Sequence, residues 1–240
     1  MNPLPVKVVF FDAVGTLFDV NGSVGEVYLH YAQKYGVVHT PSLESAINLA
    51  FRDVFQKMPP PIFSVKSPEK LKQCERLWWF DVVHAVFYRV GMFEGFDEYF
   101  DEVYEAFEHP CHWTIYPETI DVLKELKTRG FELGVISNFD TRFFTIIRAL
   151  GLSQFFDSLT ISSLAGAAKP STKVFQYALD QHCLIPHEAV HIGDHEYEDF
   201  QGAKEAGLHA FHLQRTGKAR PDGGILSTLQ VLPTLLSVDV

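Results

Sequence analysis

With 240 residues, of which 47% are hydrophobic and 21% charged, the chain can bury a full core and is neither disordered nor fibrous; its length suits one large domain or a domain with an insertion. A formal net charge of -10 argues against a nucleic-acid surface, which needs clustered Lys and Arg, so any phosphate must be gripped locally. The three cysteines, Cys74, Cys111 and Cys183, are too scattered for a disulfide framework or a zinc cluster and are expected to be buried reduced thiols.

In chain order, the first expected strand covers residues 6–12, an apolar run that ends in Asp12 and turns at Gly15. Residues 22–108 are different in kind: long amphipathic stretches, many aromatics and almost no alternation, which predicts a helical insertion interrupted by the prolines at 59–61. A helix follows over 118–127, with Pro117 at its start and Gly130 past its end. Further strands are expected at 131–137, 156–162, 189–193 and 208–213, with a helix at 173–181 capped by Ser171. Strands and helices alternating in this way predict a parallel sheet covered by helices on both faces, assembled from residues 1–21 and 109–240 around a cap at 22–108. No apolar run approaches the ~18–20 residues of a membrane span, and the start lacks a secretory pattern, so a cytoplasmic location is expected.

Four segments at the carboxyl ends of expected strands carry chemistry, and that edge is where open α/β sheets bind ligands. The carboxylate of Asp12 can attack a phosphorus centre and coordinate a divalent cation. Ser137 and Asn138 end a buried strand in groups able to donate to anionic oxygens. Lys169, before Pro170, supplies a point positive charge for both the carboxylate and a phosphate. Asp194, at the end of the 189–193 strand, and Asp199, on the next helix, are hard oxygen ligands suited to Mg2+.

In this order the four segments resemble the signature of the haloacid dehalogenase superfamily, over most of the chain. The resemblance implies a Rossmann-like α/β core with an inserted helical cap domain, and a magnesium-dependent hydrolase acting on a small phosphorylated metabolite. Asp12 would be nucleophile and metal ligand, the Val14 carbonyl a backbone metal ligand, and Lys169 the charge clamp. Ser137 and Asn138 would grip phosphate, with Thr16 beside them on the substrate, and Asp194 and Asp199 would close the metal site. The segments 77–83, 109–113 and 135–140 are similar to a branch named for haloacid dehalogenase-like hydrolase domain-containing protein 3, whose substrate is poorly defined.

Val14 is the departure. Phosphatases of that superfamily carry an aspartate there as general acid and base, and loss of such a group removes about 10²–10⁴ in rate. Slow turnover of an aspartyl-phosphate is therefore expected, with a binding or regulatory protein lacking turnover as one alternative. A 2-haloacid dehalogenase is another, since halide leaves without a proton; Arg52 is then the candidate for the substrate carboxylate. Lys57 would be the Schiff-base lysine of a phosphonate-cleaving variant. Trp78, Trp79 and Phe80 are expected in the cap interior, Asp19 in a linker, and His109, His112 and His191 outside any zinc pattern. His195 could stand in for the missing acid. No nucleic-acid, membrane or protein partner is implied.

Overall fold

All four residues of β1 (Val8–Phe11) are buried, as a strand covered on both faces requires. In the computed structural model, which describes residues 3–238, β1 is a central strand of a six-stranded parallel sheet. Chain order continues with β2 (Phe18–Val20), then α1 (Val24–Ala32), α2 (Pro41–Lys57), α3 (Pro68–Val90) and α4 (Phe96–Ala106). It proceeds through β3 (Trp113–Ile115), α5 (Thr119–Thr128), β4 (Glu132–Ser137), α6 (Phe143–Ala149) and β5 (Ser158–Ile161). The last part holds α7 (Thr172–His182), β6 (Ala189–Gly193), β7 (His209–Leu213) and β8 (Ile225–Leu226). The sheet order is β5-β4-β1-β6-β7-β8, all pairs parallel.

The period of two along β1 sorts its side chains between two layers. Val9 and Phe11 pack with Val122 and Leu126 of α5 and Ile146 of α6. Val8 and Phe10 pack on the other face with Val174, Phe175 and Ala178 of α7. The helices between Val24 and Ala106 gather a third cluster of their own, centred on Tyr28, Val54, Phe87 and Phe100. They join the sheet layer through β2 and β3, which pair antiparallel with Phe18 opposite Ile115 and Val20 opposite Trp113.

The expected strands at 131–137 and 156–162 are thus trimmed by a residue or two, and the 173–181 helix starts at Thr172 with Ser171 as its cap. α2 stops at Lys57, just before the prolines. The cysteine expectation fails: Cys111 and Cys183 are exposed and Cys74 is half-buried. The sulfurs sit in a connecting turn, in a helix cap and on a helix flank, where no core packs. No helix of the described residues is long and apolar enough to cross a membrane.

Candidate active site

The carboxyl ends of β1, β4 and β6 are adjacent, and each strand delivers a polar group there. Asp12 follows β1 directly, its backbone N–H donating to the Ile192 carbonyl at 2.8 Å. The chain then doubles back, Leu17 N donating to Ala13 O at 2.8 Å. Gly15 makes the turn with φ +86°, and a Cβ there would stand 2.4 Å from Asp194 Oδ2, so only glycine lets the two segments meet. Gly193 is required in the same sense, since a Cβ on it would lie 2.1 Å from Asp199 Cγ.

Lys169 joins these parts. Its ammonium donates to Asp12 Oδ1 and to Asp199 Oδ1, each at 2.6 Å, and all three side chains are buried. Asp199 Oδ1 also accepts from His191 Nε2 at 2.9 Å, and Asp199 Oδ2 from the His195 backbone N–H at 3.0 Å. Three donors occupy most of that carboxylate. The turn bearing it, Glu196–Gln201, is π-helical and capped by the His195 ring, whose Nδ1 accepts from Glu198 N at 3.2 Å.

Charge crowding sets the protonation of the cluster. Burial raises the Asp12 carboxyl above its ordinary range, against the pull of Lys169. Burial would raise Asp199 as well, but Lys169 and His191 outweigh it and hold that group low. Burial opposes the charge on Lys169, yet Asp12 and Asp199 keep it firmly protonated. Burial, then the charges of Asp12 and Asp199, push Asp194 up to about 7.

Oxygens of Asp12, Asp194 and Asp199 all lie within 4.8 Å of one another. Three carboxylates served by a single ammonium form a hard-oxygen set that a divalent cation fits. Asp12 and Asp194 have the most lone-pair capacity left for it; Asp199 is largely spent in anchoring Lys169. Val14, the predicted carbonyl ligand, lines the same cavity.

That cavity measures about 330 Å³ and reaches from Asp12, Ser137, Asn138, Lys169 and Asp194 up to the inserted helices. Two of the expected substrate-binding residues have other partners in the structure. Thr16 is fully buried, off the cavity wall, with its hydroxyl 3.5 Å from Asp194 Oδ1. Asn138 is on the wall, but its amide is committed: Oδ1 accepts from Lys169 N at 2.8 Å, and Nδ2 donates to Lys169 O and Glu198 Oε2, both at 3.0 Å. It therefore braces the lysine segment, and Ser137 keeps the place at the cavity floor. Arg52 and Lys57 are solvent-facing and off the cavity, Lys57 pairing with Asp53 at 2.6 Å. Trp79 is not an interior residue of the insertion alone: it lines the cavity and its indole N–H donates to Asp140 in the loop after β4. Asp19 also faces the cavity, with Tyr116 donating to it at 2.9 Å.

Glu198, Arg142 and Arg215 are absent from the expected site, and His191 is expected only to lie outside any zinc pattern. Glu198 had a signal, the acidic run that ends in Asp199; Arg215, whose partners are about a hundred or more residues away, had none. His191 tethers Asp199 from inside β6. Arg142 lines the cavity, doubly bonded to Asp140 at 3.0 and 2.7 Å and to Tyr104 O at 3.0 Å. Arg215, after β7, donates to Thr16 O at 2.7 Å, to Gly15 O at 3.3 Å and to Glu118 Oε1 at 2.6 Å, bracing the turn that follows Asp12.

Comparison with known proteins follows this geometry. A family model described as haloacid dehalogenase-like hydrolase matches residues 6–207. The human haloacid dehalogenase-like hydrolase domain-containing protein 3 is 33% identical over 210 residues, 87% of this chain and 82% of that protein. Among solved structures, the magnesium-bound HAD-hydrolase YfnB from Bacillus subtilis aligns with a TM-score of 0.75 at 16% identity, covering 97% of this chain and 99% of that one. The 2-haloacid dehalogenase from Pseudomonas syringae pv. Tomato DC3000 aligns with a TM-score of 0.63 at 28% identity, covering 96% and 97%.

Proposed function

The chain belongs to the haloacid dehalogenase-like hydrolase family, and from that premise we propose that it is a magnesium-dependent phosphomonoester hydrolase of low turnover, working through an aspartyl-phosphate on Asp12. The observation that carries this reading is the bridge of Lys169 across Asp12 and Asp199, with Asp194 alongside. Lys169 takes Asp12 Oδ1 and leaves Oδ2 free to attack. Oδ2 bonds to phosphorus as the ester P–O bond breaks; the leaving oxygen departs as an anion, since Val14 has no proton to give, and takes its proton from water afterwards. Water then attacks the phosphorus of the aspartyl-phosphate, releasing inorganic phosphate and the Asp12 carboxylate. Ser137 donates to a phosphoryl oxygen at the cavity floor, while Lys169, braced by Asn138 and Asp199, offsets the charge there. Asp12 and Asp194, with Asp199 and the Val14 carbonyl, would hold Mg2+, which would supply further positive charge to those oxygens.

A 2-haloacid dehalogenase is the second reading, favoured by Val14 and by the 28% identity to the Pseudomonas enzyme. Weighing against it are the acidic cluster and the absence of Arg52 from the cavity. A third outcome is a phosphate-binding protein that does not turn over. Phosphate and chloride release, measured with and without Mg2+ on the native chain, Asp12→Asn and Val14→Asp, separates them. The hydrolase reading requires Mg2+-dependent phosphate release that Asp12→Asn abolishes and Val14→Asp accelerates by about 10²–10⁴ on esters with poor leaving groups. Metal-independent chloride release supports the dehalogenase; activity in Val14→Asp alone supports the binder.

A further inference from the structure

Most of the cavity wall is apolar: it includes Phe51, Phe55, Trp79, Phe100, Tyr104 and Phe107, together with valines, while Arg142 and Asp19 add charge away from the Asp12 cluster. The lysine and arginine on the lining are Lys169 and Arg142. Lys169 is committed to Asp12 and Asp199. Arg142 is committed too: Nε and Nη2 to Asp140, Nη1 to the Tyr104 carbonyl, and its face to the Tyr104 ring, 3.9 Å from the centroid. A second anionic group on a substrate would find Lys169 and Arg142 already paired, and Asp19 on the wall would repel it. A run of sugar hydroxyls would find few partners, and each buried hydroxyl left unpaired weakens binding.

Val14 constrains the same substrate independently. With no acid to protonate the departing oxygen, the leaving group must depart as an anion, and a phenol, ionising near pH ~10, does so far more readily than an alcohol whose hydroxyl resembles that of water at about 15.7. Given the phosphatase reading, on which this step rests, the geometry points to an uncharged aryl phosphomonoester as the substrate class, its ring seated among the aromatic side chains of the inserted helices and its phosphoryl group on Asp12. Ring-sized occupancy suits a volume of about 330 Å³.

Aryl phosphates are intrinsically reactive, so turnover alone cannot test this; affinity can. Calorimetric titration of the full chain with phenylphosphonate, methylphosphonate and glycerol 3-phosphate, all in Mg2+, measures what the ring contributes. Burying a phenyl-sized group is expected to tighten phenylphosphonate roughly ten- to hundredfold over methylphosphonate. Phe55→Ala, a substitution at a partly exposed ring that stacks on Phe51, is expected to reduce that ratio several-fold and leave methylphosphonate unchanged. Equal affinity for the two phosphonates, or tighter binding of glycerol 3-phosphate, overturns the aryl assignment and leaves the phosphatase reading intact. Failure of every ligand to bind, with no phosphate released from any ester, overturns both.

Discussion

Lys169→Met removes one charge and nearly preserves volume, so its effect isolates the electrostatic bridge. In the native chain the ammonium meets two carboxylates at 2.6 Å, with side-chain exposures of 2%, 10% and 2% for Lys169, Asp12 and Asp199. Removing one partner of a buried ion pair costs about 3–5 kcal/mol, because the charge left behind keeps its desolvation penalty. The loss has a pH signature. Native Asp199 is held low, so its contribution is present above the unfolded carboxylate range and fades only as pH falls through the folded value. Without the lysine, burial acts unopposed by that cation on Asp12 and Asp199, both rise, and the penalty is present above their raised values and relieved as pH falls through them. Urea unfolding in EDTA should therefore show the variant losing most at alkaline pH and least in mild acid. Asp12→Asn in the same background should recover part of the loss, and added Mg2+ should recover part of it by binding the native state. A variant that unfolds like the native chain at alkaline pH, or a double variant no more stable than the single, would refute the view that this bridge holds the site together.

Arg215→Ala strips the turn after Asp12 of its brace and takes the cation from Glu118, which keeps Thr228 Oγ1 at 3.5 Å, with an expected loss of roughly 1.5–3 kcal/mol in thermal or urea unfolding; Arg215→Lys should recover little, since an ammonium cannot span two carbonyls and a carboxylate. Protons and Mg2+ compete for Asp194, whose cation-free value is about 7, so calorimetry should show affinity falling about tenfold per pH unit below that value for one displaced proton; a flat profile would exclude Asp194 as a ligand. Glu75, buried on α3, accepts from Thr141 N at 3.0 Å in the loop after β4. Glu75→Ala should cost about 1–3 kcal/mol and speed hydrogen exchange at residues 138–142, whereas Glu75→Gln, which keeps one acceptor, should cost less; equal exchange in all three would remove the clasp from consideration.

The core strands were legible because a parallel strand buried on both faces is a continuous apolar run, as Val8–Phe11 and Ala189–Gly193 are. β8, two residues long, carries no such pattern and was not anticipated. The chemistry was legible where a residue type suffices: Asp12, Lys169, Asp194 and Asp199 do meet. It failed where direction matters. Thr16 and Asn138 sit at the right strand ends, but which atom faces the cavity depends on partners far along the chain, Asp194 for one and the Lys169 backbone for the other. Arg215 gives no local sign of its role, because periodicity reports burial and not the identity of a distant acceptor.

The pairing of β2 with β3 bears on how such a chain can diversify. Since Val20 lies opposite Trp113, the segment between them leaves and re-enters the sheet layer at almost one point, like a cartridge on a two-pin socket. Its helices also close a hydrophobic cluster of their own. A different bundle could be grafted at that junction without respacing any strand of the sheet, provided it restores the grip of α3 on the loop after β4.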